Sequence, residues 1–167
     1  MTTCRRFYRE CSEFSICVNI GKKDYVLAEH PSNTNTIFYY VIRGSGKLGK
    51  MFSEDFITIK ETNFVDVRDT LYDYRTFNSL EEFHLVGFNT NDKNQRWDGR
   101  LVTENELDIR SMYDTPKMSN KRNFLVCFDG KPVVNGKILK RYDYSEIYPT
   151  KTYNIEHSGI LGLFTKL

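Results

Sequence analysis

"HPSNTNTIFYYVIRGSGKL", His30 to Leu48, sets a polar, Asn- and Thr-rich approach against a run of aromatic and β-branched residues that ends on Gly44 and Gly46. Aromatic and β-branched side chains fit the pleated surface of a strand, and glycines at its end give the backbone the freedom a tight return needs. The stretch reads as a strand that breaks on its two glycines, with a lone histidine at its entry.

Similar segments recur on either side. "FSICVNI" (14–20), "DYVLAE" (24–29), "DFITIK" (55–60), "NFVDVRD" (63–69), "YDYRTFN" (72–78) and "EFHLVGFN" (82–89) are separated by Gly, Asn, Ser and Lys, the punctuation of strands. "GRLVTEN" (99–105), "FLVCFDG" (124–130), "KILKRYD" (137–143) and "GILGLFTKL" (159–167) continue the series. "DG" at 129–130 and "NG" at 135–136 suit hairpin turns with positive φ. Apolar residues at helical spacing between caps are missing. Many short strands with regular turns specify an all-β sandwich or barrel.

A chain of 167 residues can bury one sizeable core, and one compact unit is expected. The polar stretch 90–122, with "NTNDKNQRWDG" and "YDTPKMSNKRN" around a strand-like patch from Leu101 to Ile109, reads as a connection between two halves. Trp97, the one tryptophan, is its expected buried anchor. With 24 Lys and Arg against 22 Asp and Glu, a net charge of +2 gives too weak a field to argue for nucleic acid or a membrane surface. "KLGK" (47–50) and "NKR" (120–122) read as solvated loops. No apolar run nears the ~20 residues of a membrane span, and "MTTCRRFYRECSEF" carries charge where a signal peptide is apolar. A cytoplasmic protein is expected. Cys4, Cys11, Cys17 and Cys127 form no C-x-x-C pair and read as reduced thiols. The Asn-, Lys- and Tyr-rich usage is what an AT-rich genome, such as that of a large phage, produces.

"FYYVIRGSG", followed by "NFVDVRDTLYDYRTFNSLEEFHLVGFN", resembles the cupin superfamily. The resemblance implies a small antiparallel β-barrel of jelly-roll type, often dimeric, with a metal held by histidines and an acidic residue in two motifs. Anchoring the first motif, G-x5-H-x-H-x3,4-E-x6-G, on Gly44 puts its acidic slot at Ile37 and its histidine slots at His30 and Ser32. Anchoring the second, G-x5-P-x-G-x2-H-x3-N, on Asn78 puts its histidine slot at Tyr74. The proline slot falls on Asp69 and the glycine slots on Leu71 and Asn63, so these motif residues are absent. Only His30 keeps a ligand type, and a divalent metal needs at least three N, O or S donors. No metal and no other cofactor is expected. "VCFDGKPVVNGKILKRYDYSEIYPTKTYNIE" is similar to a second, partial copy. There Gly130 matches Gly44, Pro116, Met118 and Asn123 take the metal slots, and Tyr153 takes the second-motif histidine. A longer loop around 49–56 in the first copy accounts for the unequal offsets. The organisation expected is a cupin-like half over 1–90, a connection over 91–120 and a second, partial half over 121–167.

Tyrosine offers a flat ring with a polar tip, suited to a pocket for a sugar, nucleoside or aromatic ligand. Tyr40, Tyr72, Tyr74 and Tyr153, with Arg43 and His84, are the candidate ligand-binding residues. Tyr142 and Tyr144 belong to the same set by composition alone. Arg43, Arg75 and Lys47 have the chemistry to grip an anion and equally that of strand-edge charges. His84 alternates with apolar neighbours, and His157 reads as a surface turn residue.

The leading expectation is a metal-free, cupin-like protein that binds a small polar molecule, a nucleotide or sugar derivative, without chemistry. A metal-independent enzyme similar to the sugar-nucleotide epimerases and isomerases, with His30 as base and Tyr74 as acid, is the second. A structural or oligomer-building protein is the third. The cupin resemblance implies a homodimer.

Overall fold

The computed structural model describes residues 4–29, 35–50, 54–68, 75–92, 94–102, 121–147 and 155–167. They form two compact units, Met1–Lys93 and Asn94–Leu167. Among the described residues no helix is long and apolar enough to cross a membrane; every element is a strand, and all pairing is antiparallel.

The first unit contains β1 (Cys4–Glu10), β2 (Phe14–Gly21), β3 (Val26–Glu29), β4 (Asn35–Arg43), β5 (Ser45–Lys50), β6 (Phe56–Lys60), β7 (Phe64–Asp66), β8 (Arg75–Ser79) and β9 (Phe83–Thr90). They make two sheets, β1-β2-β9-β4-β7 and β3-β8-β5-β6. Leu27, Tyr39, Val41, Leu48, Ile59, Val67, Phe77, Phe83 and Leu85 fill the interior between them, each fully buried apolar side chain contributing roughly 1.5–3 kcal/mol. The opposite face of the first sheet is buried too, at Phe14, Ile16, Val18, Phe38, Tyr40, Val86 and Phe88. Phe14 stacks on Phe88 at 4.8 Å, and Phe38 on Phe64 at 5.4 Å. Burial on both faces is why "FSICVNI" and "IFYYVI" read as nearly unbroken apolar runs.

The second unit contains β10 (Trp97–Val102), β11 (Arg122–Asp129), β12 (Val133–Val134), β13 (Lys137–Ile138), β14 (Tyr144–Ile147), β15 (Ile155–Glu156) and β16 (Ile160–Lys166), in the sheets β10-β16-β11-β14 and β13-β12-β15. Its core is Val102, Leu125, Cys127, Val134, Leu139, Ile147, Leu161 and Leu163.

Equivalent strands keep equivalent registers in the two units. Phe38 lies opposite Phe88 and Phe124 opposite Phe164. The ladder slips between Val41 and Arg43 in β4, and between Cys127 and Asp129 in β11. Gly44 (φ 85°) and Gly130 (φ 83°) follow. A matching turn closes each strand. In the first unit Thr62 N–H donates to the Val41 carbonyl (2.8 Å), Val41 N–H to Asn63 (3.0 Å), and Asn63 N–H to Lys60 (2.9 Å). In the second, Tyr142 N–H donates to Cys127 (2.7 Å), Cys127 N–H to Asp143 (2.9 Å), and Asp143 N–H to Lys140 (2.9 Å). Thr62 and Tyr142 both hold positive φ, 71° and 73°, and the Asn63 and Asp143 side chains accept from the Lys60 and Lys140 N–H groups. An arginine also covers the equivalent ring in each unit. Arg68 lies 4.9 Å over Phe38 and pairs with Asp66, and Arg122 lies 5.2 Å over Phe124 and pairs with Glu146.

Several segments differ from expectation. "KILKRYD" is a strand only at Lys137–Ile138, because the turn at Tyr142 occupies the rest. "KLGK" lies in β5 rather than in a solvated loop, with Leu48 buried in the core. Trp97 is buried as expected, but in strand β10, tilted against Phe124 at 5.9 Å, rather than in a loop. The patch expected from Leu101 to Ile109 is described only as far as Val102, where β10 ends. His157 is half-buried, its Nε2 lying 3.3 Å from the Val102 carbonyl oxygen. Cys11, Cys17 and Cys127 are free thiols.

Candidate functional site

His30, Tyr72, Tyr74 and Tyr153 lie outside the described residues. The other sequence-derived candidates fall on one face of the first sheet. Leu85 belongs to the interior cluster, so His84, one residue earlier in β9, faces the other way, together with Val86 and Phe88. Arg43 lies directly opposite His84, and Tyr40 is buried on that same face, opposite Val86. Arg43 and His84 are thus brought together, away from the barrel interior. Arg43 also lines an open cleft of about 430 Å³ with Gly44, Lys60, Glu61, Glu81 and Glu82, in which Glu81 accepts from the Ser45 hydroxyl at 2.6 Å.

The first-motif acidic slots do not fit a metal. Ile37 is buried hydrocarbon with no donor atom. Asn123 is buried with both polar atoms engaged: its Oδ1 accepts from Thr165 Oγ1 at 2.7 Å, and its Nδ2 donates to the Lys121 carbonyl at 3.0 Å. Nor do three His, Cys, Asp or Glu side chains gather as a metal site among the described residues.

The interior of the first unit carries a different chemistry. In β2 the residues facing Asn89, Gly87 and Leu85 across the ladder are Ser15, Cys17 and Asn19. These point inward, because Leu85 does. Thr36 stands opposite Asn89 from the other side, in β4. Ser15, Cys17, Asn19, Thr36 and Asn89 are all buried, none above 4% exposure. Thr36 Oγ1 donates to Asn89 Oδ1 at 2.6 Å. Asn19 Nδ2 lies 3.7 Å from Cys17 Sγ, while its Oδ1 is buried with no hydrogen-bond partner among the described residues. Turning the amide over would only strand its NH₂ instead. A buried polar group in this state costs about 1–3 kcal/mol.

The second unit repeats the Thr–Asn bond with the two strands exchanged, as Thr165 to Asn123, but its interior is otherwise filled by aliphatic side chains and Cys127. Burial first, then the charge of Asp129, pushes the Cys127 thiol up to about 11, which disfavours the thiolate at neutral pH. Asp129 accepts from Arg141 at 2.7 Å, and that bond holds its carboxyl below the usual range.

No protein-family model matches the chain, and no curated protein matches its sequence. Among solved structures, a Cupin 2 conserved barrel domain protein from Leptotrichia buccalis superposes over 99% of this chain and 88% of its own, with a TM-score of 0.55 at 11% identity. The fold is a divergent cupin fold. HutD from Pseudomonas fluorescens SBW25 covers 90% of this chain and 77% of its own, with a TM-score of 0.50 at 11% identity. Likeness at this level concerns the fold, and in this cupin-like chain the chemistry must be read from its own residues.

The inward polar row lies outside the tyrosine, arginine and histidine set that the sequence suggests, because short neutral side chains in a strand carry no chemical signature of their own. Its signal is nonetheless in the sequence: "SICVN" places Ser15, Cys17 and Asn19 at strict period two among apolar residues.

Proposed function

We propose that the barrel of the first unit is a binding module for a small, uncharged polar molecule, a sugar or nucleoside, held by hydrogen bonds and released unchanged. The buried Asn19 carbonyl oxygen without a partner carries this reading. A group of that kind destabilises the fold, and a ligand that donates a hydrogen bond to it removes the cost. Among the described residues, the polar side chains buried on the same face of β2, β4 and β9 are neutral: the Ser15 and Thr36 hydroxyls, the Asn89 amide and the Cys17 thiol. They suit hydroxyl and amide groups better than a phosphate, which calls for cations or clustered N–H donors.

Native mass spectrometry of freshly purified protein, with thermal shifts against neutral monosaccharides, nucleosides and inorganic phosphate, tests the reading. A retained or added neutral molecule that raises Tm, with no shift from phosphate alone, is expected. Asn19→Leu should raise the Tm of the ligand-free protein by removing the stranded oxygen, while abolishing the ligand-induced shift. No response to any neutral probe, or a variant that is less stable and binds as before, would overturn it.

A further inference from the structure

The turns that close β4 and β11 carry an equivalent pair of charges with the signs exchanged. Val41 and Cys127 take the same place in the two turns, as do Lys60 and Lys140. Counting on from these, Arg43 corresponds to Asp129, each meeting its neighbouring strand just after the ladder slips, and Glu61 corresponds to Arg141. In the second unit the two side chains close on each other, Arg141 donating to Asp129 at 2.7 Å. In the first unit Arg43 and Glu61 both line the open cleft of about 430 Å³, and among the described residues no ion pair joins them.

Strand pairing holds these charges in place. Arg43 stands opposite His84 at the end of β4, and Lys60 opposite Ser45 at the end of β6. Glu81 and Glu82 come from the connection between β8 and β9, which is fastened to the start of β5: Leu80 N–H donates to the Ser45 carbonyl at 2.9 Å, and the Ser45 hydroxyl to Glu81 at 2.6 Å. The cleft therefore sets two cations, Arg43 and Lys60, beside three carboxylates, Glu61, Glu81 and Glu82. A guanidinium grips a carboxylate in a forked pair, and a carboxylate accepts strong hydrogen bonds from an ammonium. A molecule that carries both groups a few bonds apart satisfies both signs at once, whereas a lone anion or cation also meets like charge. We propose that this cleft binds the head of a free α-amino acid, its carboxylate on Arg43 and its ammonium on Glu61. With one carboxylate in excess of the cations, the cleft favours a basic side chain over an acidic one. Arg43 faces away from the interior that Asn19 faces, so this site is separate from the one proposed above.

Isothermal titration calorimetry on the full chain tests this. L-lysine saturates a single site, L-alanine binds more weakly, and L-glutamate more weakly still. Lysinamide, which lacks the carboxylate, and Nα-acetyl-lysine, which lacks the α-ammonium, each lose about tenfold in affinity or more. Arg43→Gln and Glu61→Gln cause losses of the same size. Both positions are exposed, and unchanged circular dichroism will show that each variant is folded. No saturable binding of lysine up to about 10 mM, a blocked analogue that binds as tightly as lysine, glutamate binding more tightly than lysine, or a folded variant that binds as wild type does would each overturn the assignment.

Discussion

The three described thiols show how position decides the chemistry of a residue. Cys17 and Cys127 are buried, and Cys11 is half-buried. With its thiol pushed up to about 11, Cys127 has only about one thiolate per thousand at pH 8. Burial raises Cys11 as well, against lowering bonds from the Glu13 and Phe14 backbone, yet Cys11 remains accessible. Alkylation of the native protein at pH 8, read by peptide mass spectrometry, should therefore modify Cys11 well before Cys17 or Cys127. The last two should react only after denaturation. For site residues, the sequence was readable where period two is strict, as at Ser15, Cys17 and Asn19. Chemical versatility does not give position: Tyr40 is versatile and faces away from the interior, whereas Asn89 is plain and faces into it.

At the scale of elements, the glycines after β4 and before β16 hold the chain against its neighbours. A Cβ at Gly44 would clash with the Glu82 carbonyl oxygen, and one at Gly159 with that of Asp129. Both residues also have positive φ, 85° and 77°. Gly44→Ala and Gly159→Ala should each destabilise by roughly 2–4 kcal/mol, through the conformational and the steric terms together. Gly136→Ala meets nothing within 4 Å at a similar φ of 77° and should cost only about 1 kcal/mol. Urea midpoints at constant m-value would separate these terms. Gly44 and Gly130 were legible as strand ends and both hold positive φ, whereas Asn78, the anchor of the second motif, lies inside β8. The short strands of the second unit were not legible, because two-residue ladders such as β12 and β13 leave no periodicity to read.

For the whole molecule, acid stability follows from a paired carboxylate in each unit. Burial tends to raise Asp66, but the Arg68 bonds and charge outweigh it and hold the carboxyl below its ordinary value. Asp129 is lowered chiefly by its bond to Arg141. A depressed folded-state pKa gives stability that is complete above the unfolded value near pH 4 and is lost as pH falls through the folded one. Both pairs are substantially exposed, so each is worth at most about 1 kcal/mol. Urea midpoints should be insensitive to these pairs from pH 7 to 5 and fall shallowly below pH 4. Asp66→Asn and Asp129→Asn should each flatten part of that fall, and high salt should shrink it.

The slipped ladder before each anchor glycine decides where a charge goes. Along β4, Tyr39 and Val41 face the core, and simple alternation would send Arg43 after them; along β11, Leu125 and Cys127 would likewise lead Asp129 inward. One extra residue, Ile42 or Phe128, resets the phase of the strand. Arg43 then meets His84, and Asp129 meets Ile160. Each unit thereby keeps out of its interior a charge whose burial would cost several kcal/mol.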